Sequence, residues 1–242
     1  MALIDNIIGC WSPSLGATAY RLIDRTKYVN HGTLTNMDAG TDWVAAAVGR
    51  VLDFDGSNDK VVLPSRVSFI GARTLLAWIK LTASNVRGGI FGTRNGADGW
   101  VLRTSVNSTL VAYHTGQGSV EGSVNSIVAG KWHLAAYTYS PGESRLDLYL
   151  DGIRIGGSTG YTEATLGTAA WIADEDGTSP FPAGQMAEVS LWSRVLLAPE
   201  IFELYRRGNG WIGSELTGRH RRKSYGFVRS GNRRRRLLVG AH

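Results

Sequence analysis

Leu146-Asp147-Leu148-Tyr149-Leu150-Asp151-Gly152-Ile153-Arg154-Ile155 is the stretch from which the fold is read. Asp-Gly between two β-prone runs supplies the two positive-φ residues of a type I′ turn, whose twist matches that of the flanking strands. Side chains alternate along a strand, so Leu146, Leu148 and Leu150 share one face while Asp147 and Tyr149 share the other. The expectation is a β-hairpin with one buried face.

Working outward, short apolar runs recur between turn signals, and helical periodicity is nearly absent. Val51 to Phe54 and Lys60 to Leu63 flank the polar link Asp55-Gly56-Ser57-Asn58-Asp59. Further strands are expected over Thr74 to Leu81, Gly89 to Thr93, Trp100 to Thr104, Thr109 to His114, Trp132 to Tyr139 and Arg145 to Leu150. Runs of this length at turn-punctuated spacing predict an all-β sandwich or barrel. Near the end the pattern changes. Ala198-Pro199-Glu200-Ile201-Phe202-Glu203-Leu204-Tyr205-Arg206-Arg207-Gly208 has proline and glutamate in the first turn, arginines in the last and a glycine stop, which predicts one short helix. Ile201, Leu204 and Tyr205 fall on its packed side.

The 242 residues, 43% of them hydrophobic, suffice for one sizeable core, and 31 glycines against 6 prolines suit many tight turns. No apolar run reaches the roughly 18 residues of a membrane-crossing helix. The opening Met1-Ala2-Leu3-Ile4-Asp5-Asn6 lacks the basic start and apolar run of a secretory signal. A lone cysteine, Cys10, has no internal partner and sits beside Trp11, so a buried inert thiol made in a reducing compartment is expected. The formal charge of +6 hides a division: residues 1–205 hold 15 Lys+Arg and 19 Asp+Glu, or −4, whereas residues 206–242 hold 11 and 1, or +10.

An ordered series of motifs resembles a known family. It comprises Gly9-Cys10-Trp11, Asn30-His31-Gly32-Thr33-Leu34, Leu52-Asp53-Phe54-Asp55-Gly56-Ser57-Asn58-Asp59, Ala77-Trp78-Ile79-Lys80, Gly130-Lys131-Trp132-His133, Leu148-Tyr149-Leu150-Asp151-Gly152, and Gly184 to Arg194. Together they resemble the LamG-like jelly roll of the concanavalin A-like lectin/glucanase superfamily, over roughly residues 5–208. The resemblance implies an antiparallel two-sheet jelly-roll β-sandwich with one short C-terminal helix: a domain over 1–208 and a basic tail over 209–242. It places Trp11, Trp78, Trp132 and Trp192 in the core. It also implies carbohydrate-binding, adhesion or phage virion roles, the opening Trp11 to Asp24 being similar to phage-associated versions.

For chemistry, glycosidases on such a fold carry a Glu-x-Asp-x-x-Glu strand whose carboxylates flank the scissile bond, and no such run occurs here. Asp174-Glu175-Asp176-Gly177 reads as a solvated acidic loop, His133 as structural, and the chain as a non-enzyme. Calcium takes several loop oxygens; Asp24, Asp55, Asp59 and Glu188 hold motif positions for it, although Ala187 replaces the Asp that relatives carry before the Glu. Trp100, Tyr113, His114 and Trp171 are the candidates for a glycan platform, with packing as the alternative.

The tail carries Arg219, Arg221, Arg222 and Lys223, then Tyr225, Phe227 and Arg229, then Arg233, Arg234, Arg235 and Arg236. Arginine forks pair with carboxylates or phosphates and stack on rings. The expected role is a virion structural protein, a capsid decoration or fibre-associated component, docked through this tail onto capsid proteins or sister subunits. The alternative is a glycan-binding adhesion module acting at a cell surface. Nucleic acid ranks below both, because the acidic body offers no basic groove to continue the tail.

Overall fold

The computed structural model describes residues 2–218 apart from 48, 97 and 166, so the arginine-rich residues 219–242, and every expectation placed on them, lie outside the described residues. In chain order the strands are β1 (Ile7–Trp11), β2 (Arg21–Leu22), β3 (Gly32–Thr35), β4 (Trp43–Ala46), β5 (Gly49–Phe54), β6 (Lys60–Leu63), β7 (Arg73–Leu81), β8 (Gly88–Gly92), β9 (Trp100–Thr104), β10 (Leu110–His114), β11 (Gly118–Glu121), β12 (His133–Ser140), β13 (Arg145–Leu150), β14 (Ile153–Thr159), β15 (Ala170–Ile172) and β16 (Gly184–Trp192). Helices α1 (Ala198–Arg207) and α2 (Trp211–Leu216) follow.

The strands form two antiparallel sheets. The first runs β14-β13-β12-β7-β16-β5-β4, with β1 on β16; the second runs β11-β10-β9-β8-β15-β6-β3-β2. Leu75, Ala77 and Ile79 from β7 and Leu146, Leu148 and Leu150 from β13 meet Ile90, Trp100, Leu102, Leu110 and Ala112 of the second sheet in the main core. The architecture is the two-sheet jelly-roll sandwich that the family resemblance implies, and of the two forms the strand pattern allows it is the sandwich.

The Asp151-Gly152 turn has φ of 53° and 82° and joins β13 to β14, as the Asp-Gly dipeptide predicts. Asp151 also fixes its surroundings: its carboxylate accepts the Leu134 N–H at 2.8 Å and the His133 Nδ1–H at 2.8 Å. The hairpin differs from expectation in one respect, since both faces of β13 are covered while β14 is largely exposed. Tyr149 joins Leu76, Trp78, Leu134, Ile201 and Leu204 in a second apolar cluster on the outer side of the first sheet. Asp147 is held by Arg145 at 2.7 Å and Arg154 at 2.6 Å.

Helix α1 supplies that cover. Glu200 reaches back to the Leu197 N–H at 2.8 Å and pairs with Arg194 at 2.8 Å, closing the helix start, and Tyr205 stacks on Trp78 with ring centroids 5.9 Å apart. Sequence patterning did not anticipate α2, whose Ile212 is buried in the same cluster. The packed body therefore continues through Leu216 rather than stopping at residue 208.

Candidate functional site: the outer face of the second sheet

The site is organised by a loop lying on bare backbone. Strand β8 reads Gly88-Gly89-Ile90-Phe91-Gly92, and a Cβ on Gly88, Gly89 or Gly92 would lie 2.2, 2.2 or 2.1 Å from main-chain atoms of Pro180 or Glu175. Real Cβ atoms do not approach backbone so closely, so glycine is required for the 174–182 segment to dock. Asp174 shapes the segment from within: its Oδ1 accepts the N–H groups of Asp176, Gly177 and Ser179 at 3.0, 2.9 and 3.2 Å. Four cations surround it. Lys60 lies 3.3 Å from Asp174, Arg87 and Arg103 lie 2.6 and 3.5 Å from Glu175, and Arg94 lies 3.4 Å from Asp176.

This corrects the reading of Asp174 to Gly177 as a solvated acidic loop. Asp174 and Glu175 are only 1% and 2% exposed, because neighbouring strands supply the counter-charges that water would otherwise supply. At Asp176, burial alone would raise the pKa. The Thr178 N–H, the Thr178 and Ser179 hydroxyls and Arg94 outweigh it and hold the group below its ordinary value.

On one flank of the loop, at the sandwich rim where the β5–β6, β7–β8 and β15–β16 connections pass between the sheets, an open groove of about 670 Å³ is lined by Asp55, Asn85, Arg87, Glu175, Pro180 and Pro182, among others. The Arg87 side chain is half exposed. Asn85 uses its Oδ1 and backbone N–H on Ser108, both at 2.8 Å. Fixed donors and acceptors thus stand between proline and glycine walls.

On the other flank lies Trp171. Its neighbours Ala170 and Ile172 point into the core, so Trp171 points outward, and Gly177 rests against its ring. Register pairing places it in a row across the whole sheet: Arg21, Thr33, Val62, Trp171, Gly92, Val101, Tyr113 and Ser119. Directly paired residues present their side chains on the same face. Tyr113, half-buried, lies under the Arg94 guanidinium at 5.6 Å.

Of the four platform candidates, then, Trp171 and Tyr113 belong to this face. Trp100 and His114 do not, which is a correction with a plain cause: both alternate inward. Trp100 is 1% exposed and stacks between Phe91 and Tyr137 with centroids 5.3 and 5.2 Å away. His114 is fully buried beside Arg73.

The four carboxylates considered for calcium do not share a centre, and among the described residues no group of three His, Cys, Asp or Glu is arranged to hold a metal ion. Asp24 is buried and accepts the N–H groups of Cys10, Thr26 and Asn30 at 3.0, 2.9 and 2.8 Å. Asp55 and Asp59 serve their own turn, accepting from Ser57 N–H at 2.7 Å and Asp55 N–H at 3.0 Å. Glu188 is buried under α2 and accepts the Ile212 and Gly213 N–H groups at 3.3 and 2.7 Å. Burial drives the Glu188 pKa up to about 7, against the lowering effect of those N–H groups and of Ser12. Burial likewise raises the Cys10 thiol well above its ordinary value.

Arg87 and Asn85 were not singled out from sequence, and Glu175 was read only as part of a solvated loop. A signal existed: the Gly-Gly-x-x-Gly pattern of β8 announces a close backbone approach, and the acidic triplet is a segment that cations can anchor.

A two-sheet antiparallel jelly roll of this topology defines a concanavalin A-like class of fold. The chain belongs to the concanavalin A-like lectin/glucanases superfamily, whose Laminin_G_3 family profile matches residues 55–202. No curated protein matches the chain in sequence. Among solved structures it is similar to domain 4 of AbnA, a GH43 extracellular arabinanase from Geobacillus stearothermophilus in complex with arabinotriose, with a TM-score of 0.65 and 16% identity over 82% of this chain and 97% of that one. It is also similar to the binding domain of Paraclostridial Mosquitocidal Protein 1, with a TM-score of 0.68 and 14% identity over 85% of this chain and 53% of that one. Trypanosoma rangeli sialidase matches with a TM-score of 0.61 and 17% identity over 83% of this chain and 32% of that one. At these identities the likeness shows the fold alone.

Proposed function

We propose that the chain is a carbohydrate-binding module that does no chemistry itself and takes glycans on the outer face of the second sheet. The observation that carries this reading is the groove of about 670 Å³ in which the exposed Arg87, Asp55 and Asn85 stand as donors and acceptors over the buried Glu175, with Trp171 on the far side of the same loop. Sugars are recognised by such planar, charge-assisted hydrogen bonds together with an apolar ring face. The groove's two carboxylates already have structural work: Glu175 neutralises two guanidiniums and Asp55 accepts from its own turn. The arabinotriose complex of the similar arabinanase domain supports the reading by analogy. A glycan array followed by calorimetry tests it. Wild type should bind at least one oligosaccharide, and Arg87→Ala and Trp171→Ala should each weaken that binding. An array with no hits, or variants that bind as wild type does, would overturn it.

A second reading, docking onto a virion or another assembly through the basic tail, is favoured by the charge division of −4 for residues 1–205 against +10 for 206–242. On this reading, release from particles rises steeply with salt, and a chain truncated after residue 218 no longer attaches. Unchanged attachment of the truncated chain would sink it.

A further inference from the structure

The outer face of the first sheet carries a polar row of its own. Register places Lys80, Gln185 and Asp53 side by side on β7, β16 and β5. The row continues at both ends. Trp132 directly precedes His133, the partner of Ile79, and so flanks Lys80. At the other end the Asp53 N–H donates to the Asp42 carbonyl at 2.9 Å, one step beyond the Trp43–Leu52 pair. Ile79, Met186, Leu52 and Trp43 point into the main core, so their neighbours in the row point outward. Helices α1 and α2 cover the adjoining Trp78, Leu134 and Ala187, whereas all five side chains of the row are partly exposed.

This row is acidic at one end and aromatic at the other. Asp42 accepts the Asp38 N–H at 2.6 Å and the Thr41 hydroxyl at 2.9 Å, both neutral partners. Among the described residues, the side chains of Asp53, Gln185 and Lys80 make no hydrogen bond or ion pair. Asp38, Asp42 and Asp53 therefore keep their charges unmatched, whereas Asp147, Asp174, Glu175 and Asp176 are each met by a cation. The chain holds its surplus of cations in residues 206–242, at +10. Part of that stretch has a period that suits the row. Arg221, Lys223, Tyr225 and Phe227 stand at every second position, so an extended chain presents all four on one side. Such a chain spans about 20 Å from Arg221 to Phe227, and five strands side by side span about 19 Å.

We infer that this row, from Asp42 through Asp53, Gln185 and Lys80 to Trp132, is the docking site for residues 221–227 of a second copy of the chain. Laid across it, Arg221 and Lys223 meet Asp42 and Asp53, Tyr225 offers Lys80 a ring rather than a like charge, and Phe227 meets Trp132. The partner is a second copy because of where α2 ends. Its first N–H groups, those of Ile212 and Gly213, sit at Glu188, whereas its last residue, Leu216, lies with Ile4 to Ile7, and Ile7 pairs with Trp192. Helix α2 thus runs along β16 away from Gln185, which lies roughly 20 Å back along the strand. Asp42 is two strands further to the side. Arg221 follows Leu216 by five residues, at most about 18 Å of extended chain, and so falls short of its own Asp42. Each copy gives an arm and receives one, closing as an arm-exchanged pair or growing as a ring or filament. This rests on the tail-docking reading above, names its partner, and is separate from glycan binding.

The test follows the mass of the full-length chain by light scattering at low salt and rising concentration. Wild type should self-associate and come apart as salt is raised. The double variants D42N/D53N, on the row, and R221Q/K223Q, on the arm, should each weaken association by roughly tenfold or more. Mixed together they should form a one-to-one complex, since the first keeps its arm and the second keeps its row. R221Q/K223Q changes the arm alone, so it decides the matter even if D42N/D53N melts early. Association of either variant as strong as that of wild type would overturn the inference, and so would two folded variants that stay apart when mixed. A wild type that is monomeric throughout would also overturn it; attachment of that monomer to particles would leave tail docking standing with a different partner. Slower hydrogen exchange over β4 and β5 in monomeric wild type than in monomeric R221Q/K223Q would assign the row to the chain's own arm instead.

Discussion

Arg73 and His114 face each other across the interior of the sandwich, with Arg73 Nη2 3.2 Å from His114 Nε2. Arg73 is wholly buried, pairs with Glu163 at 2.7 Å, and has its guanidinium carbon 4.6 Å from the Tyr139 ring and 5.0 Å from that of Trp100. The Tyr137 hydroxyl, 2.5 Å from His114 Nε2, donates to the same nitrogen, so the neutral ring carries its proton on Nδ1 and donates it to the Thr162 carbonyl at 3.2 Å. Burial, and then the Arg73 charge, lower the His114 pKa to about 4.

That relationship predicts acid sensitivity. The unfolded chain takes up the His114 proton near pH 6.5 and the folded chain only near pH 4. Stability from this group is therefore complete above about pH 6.5 and falls as pH drops toward 4, by about 3 kcal/mol in all. Following the His114 ring resonance by NMR while titrating acid checks this; a midpoint near 6.5 in the folded protein would refute it.

Glu188 acts in the opposite sense. Its folded pKa near 7 lies above the ordinary 4.5, so its contribution is complete at low pH and diminishes as pH rises through that interval. Between about pH 4.5 and 6.5 the two groups offset each other. Glu188→Gln, which keeps an acceptor for the α2 N–H groups, should match wild type at pH 4. Its advantage should then grow by roughly 1.4 kcal/mol per pH unit toward 7. Urea unfolding at several pH values measures the difference; a constant difference would contradict the assignment.

Gly92→Ala places a methyl group against the Glu175 carbonyl and should destabilise the protein by about 2 kcal/mol or more while releasing the 174–182 segment. Asp174→Ala strands three backbone N–H groups and the Lys60 charge, and should cost a similar amount. Hydrogen exchange would register both as loss of protection centred on this segment. Unaltered exchange there would show that the loop is held otherwise.

Trp171 and Trp100 should separate binding from stability. Trp100→Ala empties a core site and should cost about 3–5 kcal/mol, whereas Trp171→Ala should shift the melting temperature far less and remove glycan affinity. Thermal melts paired with calorimetry decide the matter; equal destabilisation by the two would remove Trp171 from the binding face.

Much of the framework is legible from local pattern. The strands around Lys60–Leu63, Trp100–Thr104 and Arg145–Leu150 follow from short-range turn chemistry and alternation, and α1 from its end signals. What local pattern misses are the partnerships made across the chain. Arg73 opens a strand and drew no notice in the sequence, because Tyr137, His114 and Glu163, which take it inside, are far away along the chain. Glu175 looks solvated until Arg87 and Arg103 are brought to it. Trp100 and Trp171 have similar strand settings; which face each occupies depends on how β9 and β15 register in the second sheet.

Because β8 offers the overlying segment nothing but main chain, the fit between them is indifferent to the chemistry of the segment's outward side chains. Thr178, held only through Asp176 by local hydrogen bonds, is one such position. Variation confined to positions of that kind would rewrite what the crest displays while the scaffold beneath stays unchanged, which makes this crest a natural place to engineer new recognition.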